Sequence, residues 1–237
     1  MLTTPRTDPY ESGVAELESV RNSPGADDNA SGAAVVLAAA AGIPPPSGRR
    51  DVALVLVDLE EITMGGSTHL AKSVTPGAAL NLESVGYYRC SPGSQRMPAG
   101  LGMVAPVLAG QVKARASAGD FALVVHRPDS TDVASAWAAA ANEAGLPTIV
   151  HRDNRYTGSG YRLERLVNLV GANLDRSDHA PFWNTGVPSV VVSDTAPLRN
   201  PNYHRPTDTP DTLDYAALAA VTITTAAAWQ SGAVANR

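Results

Sequence analysis

The 237-residue sequence holds a single cysteine, Cys90, so no disulfide framework can form within it. A lone cysteine can be a nucleophile. Cys90, however, sits in the polar turn 89–93 (RCSPG) with no histidine close in sequence, and reads as a bystander. Basic charge is scarce too: the net charge is -5, which argues against a general nucleic-acid binder. No stretch approaches the roughly 20 apolar residues that span a membrane. The first thirteen residues contain no apolar run, so they are not a signal peptide. The chain as written is expected in the cytoplasm, and in an exported form only if its true start lies upstream. What it does hold is 44% hydrophobic residues, many of them alanine, which excludes a disordered chain. The length suits one large domain with a sizeable core.

Apolar strands alternate with helices along the sequence. Residues 31–41 read as a buried helix that stops at Gly42, ahead of three prolines. Residues 51–58 (DVALVLVD) form a continuous apolar run and read as a strand covered on both faces. Further strands are expected at 78–85, 121–126, 147–151 and 188–193. Helices are expected at 65–74, 101–116 and 132–144, with a last one over 211–229 that starts at Asp211. Residues 152–160 and 198–210 are polar loops. This pattern implies a three-layer α/β/α domain: a mostly parallel, mixed central sheet flanked by helices. In such folds reactive groups gather beyond the carboxyl ends of the strands.

Four segments place acidic or histidine side chains at such positions: 24–32 (PGADDNASG), 58–61 (DLEE), 81–83 (NLE) and 203–204 (YH). Each has an ordinary reading. Asp27 or Asp28 suits a helix N-cap. Glu60 and Glu61 suit a solvated helix start, Glu83 an arginine partner, and His204 a surface loop. Together they offer hard oxygen ligands and an imidazole nitrogen, the ligand types of a metal site. Adjacent glutamates point in different directions, so one can bind metal while its neighbour serves as general base.

The motifs PGADDNASG, DLEE followed by GGS, NLESVGYY with PGSQ, SDHAPFW with GVP, and NYH with DTPDTLDY occur in that order. They resemble the metallopeptidase family of bacterial leucyl aminopeptidases, glutamate carboxypeptidase and glutaminyl cyclase, over nearly the whole chain from about Val14. The resemblance implies a catalytic domain over 14–237 behind a poorly structured segment 1–13. It implies that Asp28 bridges two ions, Glu61 and His204 complete one zinc site, and Glu83 serves the other. Glu60 is the implied general base, and Tyr203 the implied hydrogen-bond donor to the oxyanion. Asp178 and His179 are implied to support the ligands from behind.

The chain departs from the family pattern upstream of this turn. Where the family carries a His-x-Asp pair, Glu16 and Glu18 stand. A first-metal set of Glu16, Asp28 and Glu83 is all oxygen, which suits harder cations and weakens the preference for zinc. One zinc is therefore expected to bind firmly, and a second weakly or to be replaced by another divalent cation. Little chain precedes this point, so the sheet is expected to lack an N-terminal edge. The implied activity is hydrolysis of peptide or aminoacyl substrates, most simply as an aminopeptidase. The alternatives are a single-zinc acyl transferase like glutaminyl cyclase, and a catalytically impaired relative that only binds metal. No nucleic-acid or membrane partner is expected, and the oligomeric state is left open.

Overall fold

The computed structural model describes Val20 and residues 22–42, 52–153 and 174–230. An irregular turn, Ala26–Ser31, leads into helix α1 (Gly32–Ala40). Then come α2 (Gly65–Ser73), β1 (Ala79–Glu83), α3 (Leu101–Val104), α4 (Pro106–Ala114) and β2 (Ala122–His126). The rest is α5 (Thr131–Glu143), β3 (Thr148–Arg152), α6 (His179–Asn184), β4 (Ser189–Ser193), α7 (Ala196–Arg199) and α8 (Tyr215–Gln230).

The four strands form one sheet in the order β1-β4-β2-β3. β1 runs parallel to β4 and β2 parallel to β3, while β2 and β4 are antiparallel. The sheet is mixed, as the alternation of elements implies. Strand alternation sends successive side chains to opposite faces. Val124, Val190 and Val192 meet Val35 of α1, Trp137 of α5 and Val221 of α8. Leu123, Val125 and Val191 meet Leu101 of α3, Leu108 and Val112 of α4 and Trp183 of α6. Helices thus cover both faces of the central strands, making the three-layer α/β/α architecture. Among the described residues no helix is long and apolar enough to cross a membrane.

Four expectations need correction. Residues 52–58 are not a strand buried on both faces: among the described residues they join no ladder, and Leu54, Val55 and Leu56 are 45%, 45% and 59% exposed. A cavity of about 380 Å³, lined by Ala53, Leu54, Val55 and Val57 on one side and Leu80 and Leu82 on the other, separates the run from β1. An apolar run is covered only when a neighbouring strand and the helical layers close on it, and here no ladder partner does. The helix expected over 101–116 is two helices. Pro106 stands at the start of the second one, where its missing N–H costs nothing, and Ala105 before it is non-helical. The last helix starts later than Asp211, which lies in the short turn Pro210–Thr212. Asp214 takes the capping role, its Oδ1 accepting the Ala217 N–H at 3.0 Å. The start of the polar loop at 198 also belongs to α7. The segment 1–13, Glu16, Glu18 and most of the loop 152–160 lie outside the described residues.

Candidate metal centre

The sheet brings two parallel strands, β1 and β4, to one rim with their carboxyl ends together. Glu83 ends β1, Ser193 ends β4 and Thr195 follows it, all on the wall of a cavity of about 220 Å³. Glu60, Glu61, Glu83 and Tyr203 line the same cavity.

Asp28, Glu61 and His204 each turn one ligand atom toward a common point, all within 4.8 Å of one another. His204 Nε2 lies 3.0 Å from Asp28 Oδ2 and 3.4 Å from Glu61 Oε1. Two ligands about 2 Å from a tetrahedral zinc stand about 3.3 Å apart, so the spacing fits such an ion. Two carboxylates and an imidazole are also the ligand chemistry of a catalytic zinc with one open position. Burial by itself would lower the pKa of His204. Hydrogen bonds to Asp28 and Glu61, with the charges of both, outweigh it and push the group up to about 9. The pocket therefore favours a cation at Nε2.

Glu83 lies outside that three-ligand group but close enough to feel it. Burial raises its pKa well above the usual carboxylate range, and the charges of Asp28 and Glu60 raise it further. Ser177 donates to Glu83 Oε2 at 2.6 Å and Ser84 to Oε1 at 3.4 Å. A cation among these crowded carboxylates would relieve their repulsion.

Tyr203 stacks on His204 with ring centroids 3.8 Å apart. Burial raises its phenol pKa, and the charges of Asp28, Glu61 and Glu83 add to that, so the hydroxyl stays protonated as a hydrogen-bond donor. The charge of Asp178 also acts on Glu83, and burial raises the pKa of Asp178 itself against a hydrogen bond from Ser67. His179 is buried edge-on against Trp183, and its Nε2 pairs with the Leu174 carbonyl at 2.8 Å.

Local backbone makes these placements possible. Leu59 (φ 57°), Ser84 (φ 47°) and His204 (φ 57°) all occupy the left-handed region, next to or at a candidate site residue. Such conformations cost roughly 1–3 kcal/mol each and persist only where the surroundings hold them. The Asp58–Glu61 turn closes onto α2 through Gly66 N–H to Asp58 O at 3.0 Å and Gly65 N–H to Leu59 O at 2.9 Å. A Cβ on Gly66 would collide with the Asp58 carbonyl, so only glycine fits there. Gly32 is equally constrained: a Cβ would sit 2.6 Å from the Leu82 carbonyl oxygen.

Asn29 and Ser177, which the sequence reading does not single out, and Asp27, which it reads as a helix N-cap candidate, hold the centre. Asn29 Nδ2 donates to Leu82 O at 2.9 Å, and its Oδ1 accepts from Ser84 N at 3.1 Å and Gly32 N at 3.3 Å. It ties the Asp28 turn to the end of β1. Asp27 is buried, accepting from Gly86 N at 2.9 Å and Asn200 Nδ2 at 2.7 Å. Asn29 and Ser177 sit inside the motifs PGADDNASG and SDHAPFW, and that membership was their only signal.

Comparison with known proteins agrees with this architecture. The uncharacterised protein YfbL of Escherichia coli (strain K12) is 33% identical over 214 residues, which span 87% of this chain and 59% of YfbL. The solved LapA aminopeptidase of Legionella pneumophila shares the fold with a TM-score of 0.59 at 19% identity, over 91% of this chain and 48% of that one. BSAP, a zinc aminopeptidase from Bacillus subtilis, does so with a TM-score of 0.56 at 19% identity, over 90% and 43%. The chain therefore spans about half the length of these two structures. The model of peptidase family M28 matches residues 14–148 and 153–229, a span that takes in Asp28, Glu61 and His204 together, and the chain belongs to that family.

Proposed function

We propose that this chain is a zinc-dependent exopeptidase, most simply an aminopeptidase, with one ion held by Asp28, Glu61 and His204. The observation that carries the reading is the convergence of two carboxylates and an imidazole within 4.8 Å of one another, one of which, Glu61, lines a cavity together with Glu60 and Tyr203. A zinc ion held there supplies Lewis acidity, polarising a peptide carbonyl and lowering the pKa of water. Glu60 takes the proton of the attacking water and hands it to the leaving amine. Tyr203, kept neutral by burial and by its acidic neighbours, donates a hydrogen bond to the oxygen that gains charge. Leu123, Val125, Leu174 and Val191 form an apolar wall suited to an apolar substrate side chain. Asp178 and His179 support the site from behind. The names of LapA and BSAP support the aminopeptidase form of this reading. The test is zinc analysis of the purified chain after dialysis, paired with hydrolysis of aminoacyl anilides. One zinc and turnover that chelation abolishes are expected; turnover unaffected by chelation rejects the reading.

A single-metal acyl transferase is the second reading. It is favoured by one feature: among the described residues the ligand group is complete with three members, and Glu83 stands outside it. Cyclisation of glutaminyl peptides without hydrolysis of anilides selects this alternative. Zinc binding with no turnover on either substrate selects a metal-binding relative.

A further inference from the structure

Asp28 and His204 are 176 residues apart in sequence, yet their ligand atoms stand 3.0 Å apart. Something must hold their two segments in register. The turn that carries Asp28 presents three successive N–H groups, and all three go to one residue. Asp27 N–H donates to Asp208 Oδ1 at 3.0 Å, and Asp28 N–H to Asp208 Oδ2 at 3.2 Å. Ala26 N–H donates to the Asp208 carbonyl at 3.1 Å. Asp208 is fully buried. It lies on the His204 loop, and its own N–H closes that loop onto Arg205 O at 3.0 Å.

Bonds from N–H groups to a carboxylate are about twice as strong as neutral ones. Cutting one leaves a buried donor unpaired, which costs more than the bond contributes. Both carboxylate oxygens are used, so Asp208 sets both the position and the rotation of the Asp28 turn relative to the loop.

We propose that Asp208 is a positioning residue for the zinc centre: it locks the Asp28 turn onto the His204 loop, so these two ligands stand at zinc-binding distance before any ion arrives. The role rests on the reading of Asp28, Glu61 and His204 as the zinc site. Asp208 itself touches neither ion nor substrate.

The test is D208N and D208A in the full chain, with three measurements: zinc affinity by chelator competition, the absorption spectrum of the cobalt-loaded protein, and the melting temperature of the metal-free protein. Outer residues that orient ligands typically contribute about 10–100-fold in metal affinity, and a loss of that size is expected. D208N keeps one acceptor oxygen and is expected to lose less than D208A. Cobalt bands report ligand geometry and are expected to shift or weaken in both variants. Should D208N not fold, D208E keeps the carboxylate but displaces it by one methylene, and the same readouts apply. A lower melting temperature with unchanged zinc affinity and an unchanged cobalt spectrum would show a merely structural residue and overturn the proposal. An unmodified chain that takes up neither zinc nor cobalt overturns the metal reading itself, and is recognised because the failure appears without any substitution.

Discussion

The two sides of the candidate centre are built differently. The Asp28 turn is tied to the His204 loop by Asp208, to the end of β1 by Asn29 and to Asn200 by Asp27, against a sheet whose central Val124, Val190 and Val192 are fully buried. Glu60 and Glu61 follow residues 52–58, an apolar run with no ladder partner among the described residues and a cavity between it and β1. One side is held by bonds between distant segments; the other rests on the short turn that closes onto α2. The first side is the frame of the site, and the turn that carries Glu60 and Glu61 is its arm.

The largest effect is expected on the arm. Glu60→Gln is predicted to leave zinc content unchanged and to cut turnover about 100- to 10,000-fold, the usual reach of a general base. Full activity in this variant would place the base elsewhere. Next come the ligands. His204→Ala is predicted to lower zinc affinity by more than the roughly 10–100-fold that an outer residue contributes. Glu61→Gln is predicted to lose less than His204→Ala, because the frame still offers two ligands at fixed spacing. The reverse order, measured by chelator competition, would mean that the arm and not the frame sets affinity.

Stability is predicted to divide along the same line. Val190 and Val192 are fully buried, and Val192→Ala is expected to cost about 1.5–3 kcal/mol in urea unfolding. Leu56 is 59% exposed, so Leu56→Ala is expected to stay within about 0.5 kcal/mol. An equal cost at both positions would reveal that 52–58 is packed in solution.

The smallest effect concerns pH in the frame. Burial raises the pKa of Asp194 well above the carboxylate range, the charge of Asp27 adds to this, and Arg199 opposes it. A folded value above the unfolded one means that the protonated form favours folding. That contribution is complete below about pH 4 and is lost as pH rises through the folded value. Asp194→Asn keeps an oxygen for the Tyr87 N–H, which Asp194 Oδ2 accepts at 2.6 Å. Its melting temperature is predicted to fall less with rising pH than that of the unmodified chain. Parallel curves for the two proteins would sink this account.

Chain order and hydrophobic pattern made most of the fold legible. Alternating apolar runs and helices specify layers, because a half-buried strand and an amphipathic helix need each other's apolar faces. The acidic and histidine clusters were legible as candidate chemistry because carboxylates and imidazole are ligand types for a metal. The apolar run 52–58 misled because its composition reports the wish to be buried, while burial depends on a neighbour the run does not encode. The split of the 101–116 helix was available in Pro106 itself, which the periodic pattern overrode.

The sequence by itself determined the kinds of element, the layered class and the set of side chains able to hold an ion, since these follow from local propensity and residue chemistry. Tertiary structure decided which of those side chains meet. Asp28 and His204 lie 3.0 Å apart because Asp208 accepts the N–H groups of the Asp28 turn, and Glu83 is held by Ser177 from 94 residues further along the chain. Hydrogen bonds between distant segments leave no period in a sequence, because a donor and an acceptor find each other only after the sheet has brought its strand ends to one rim.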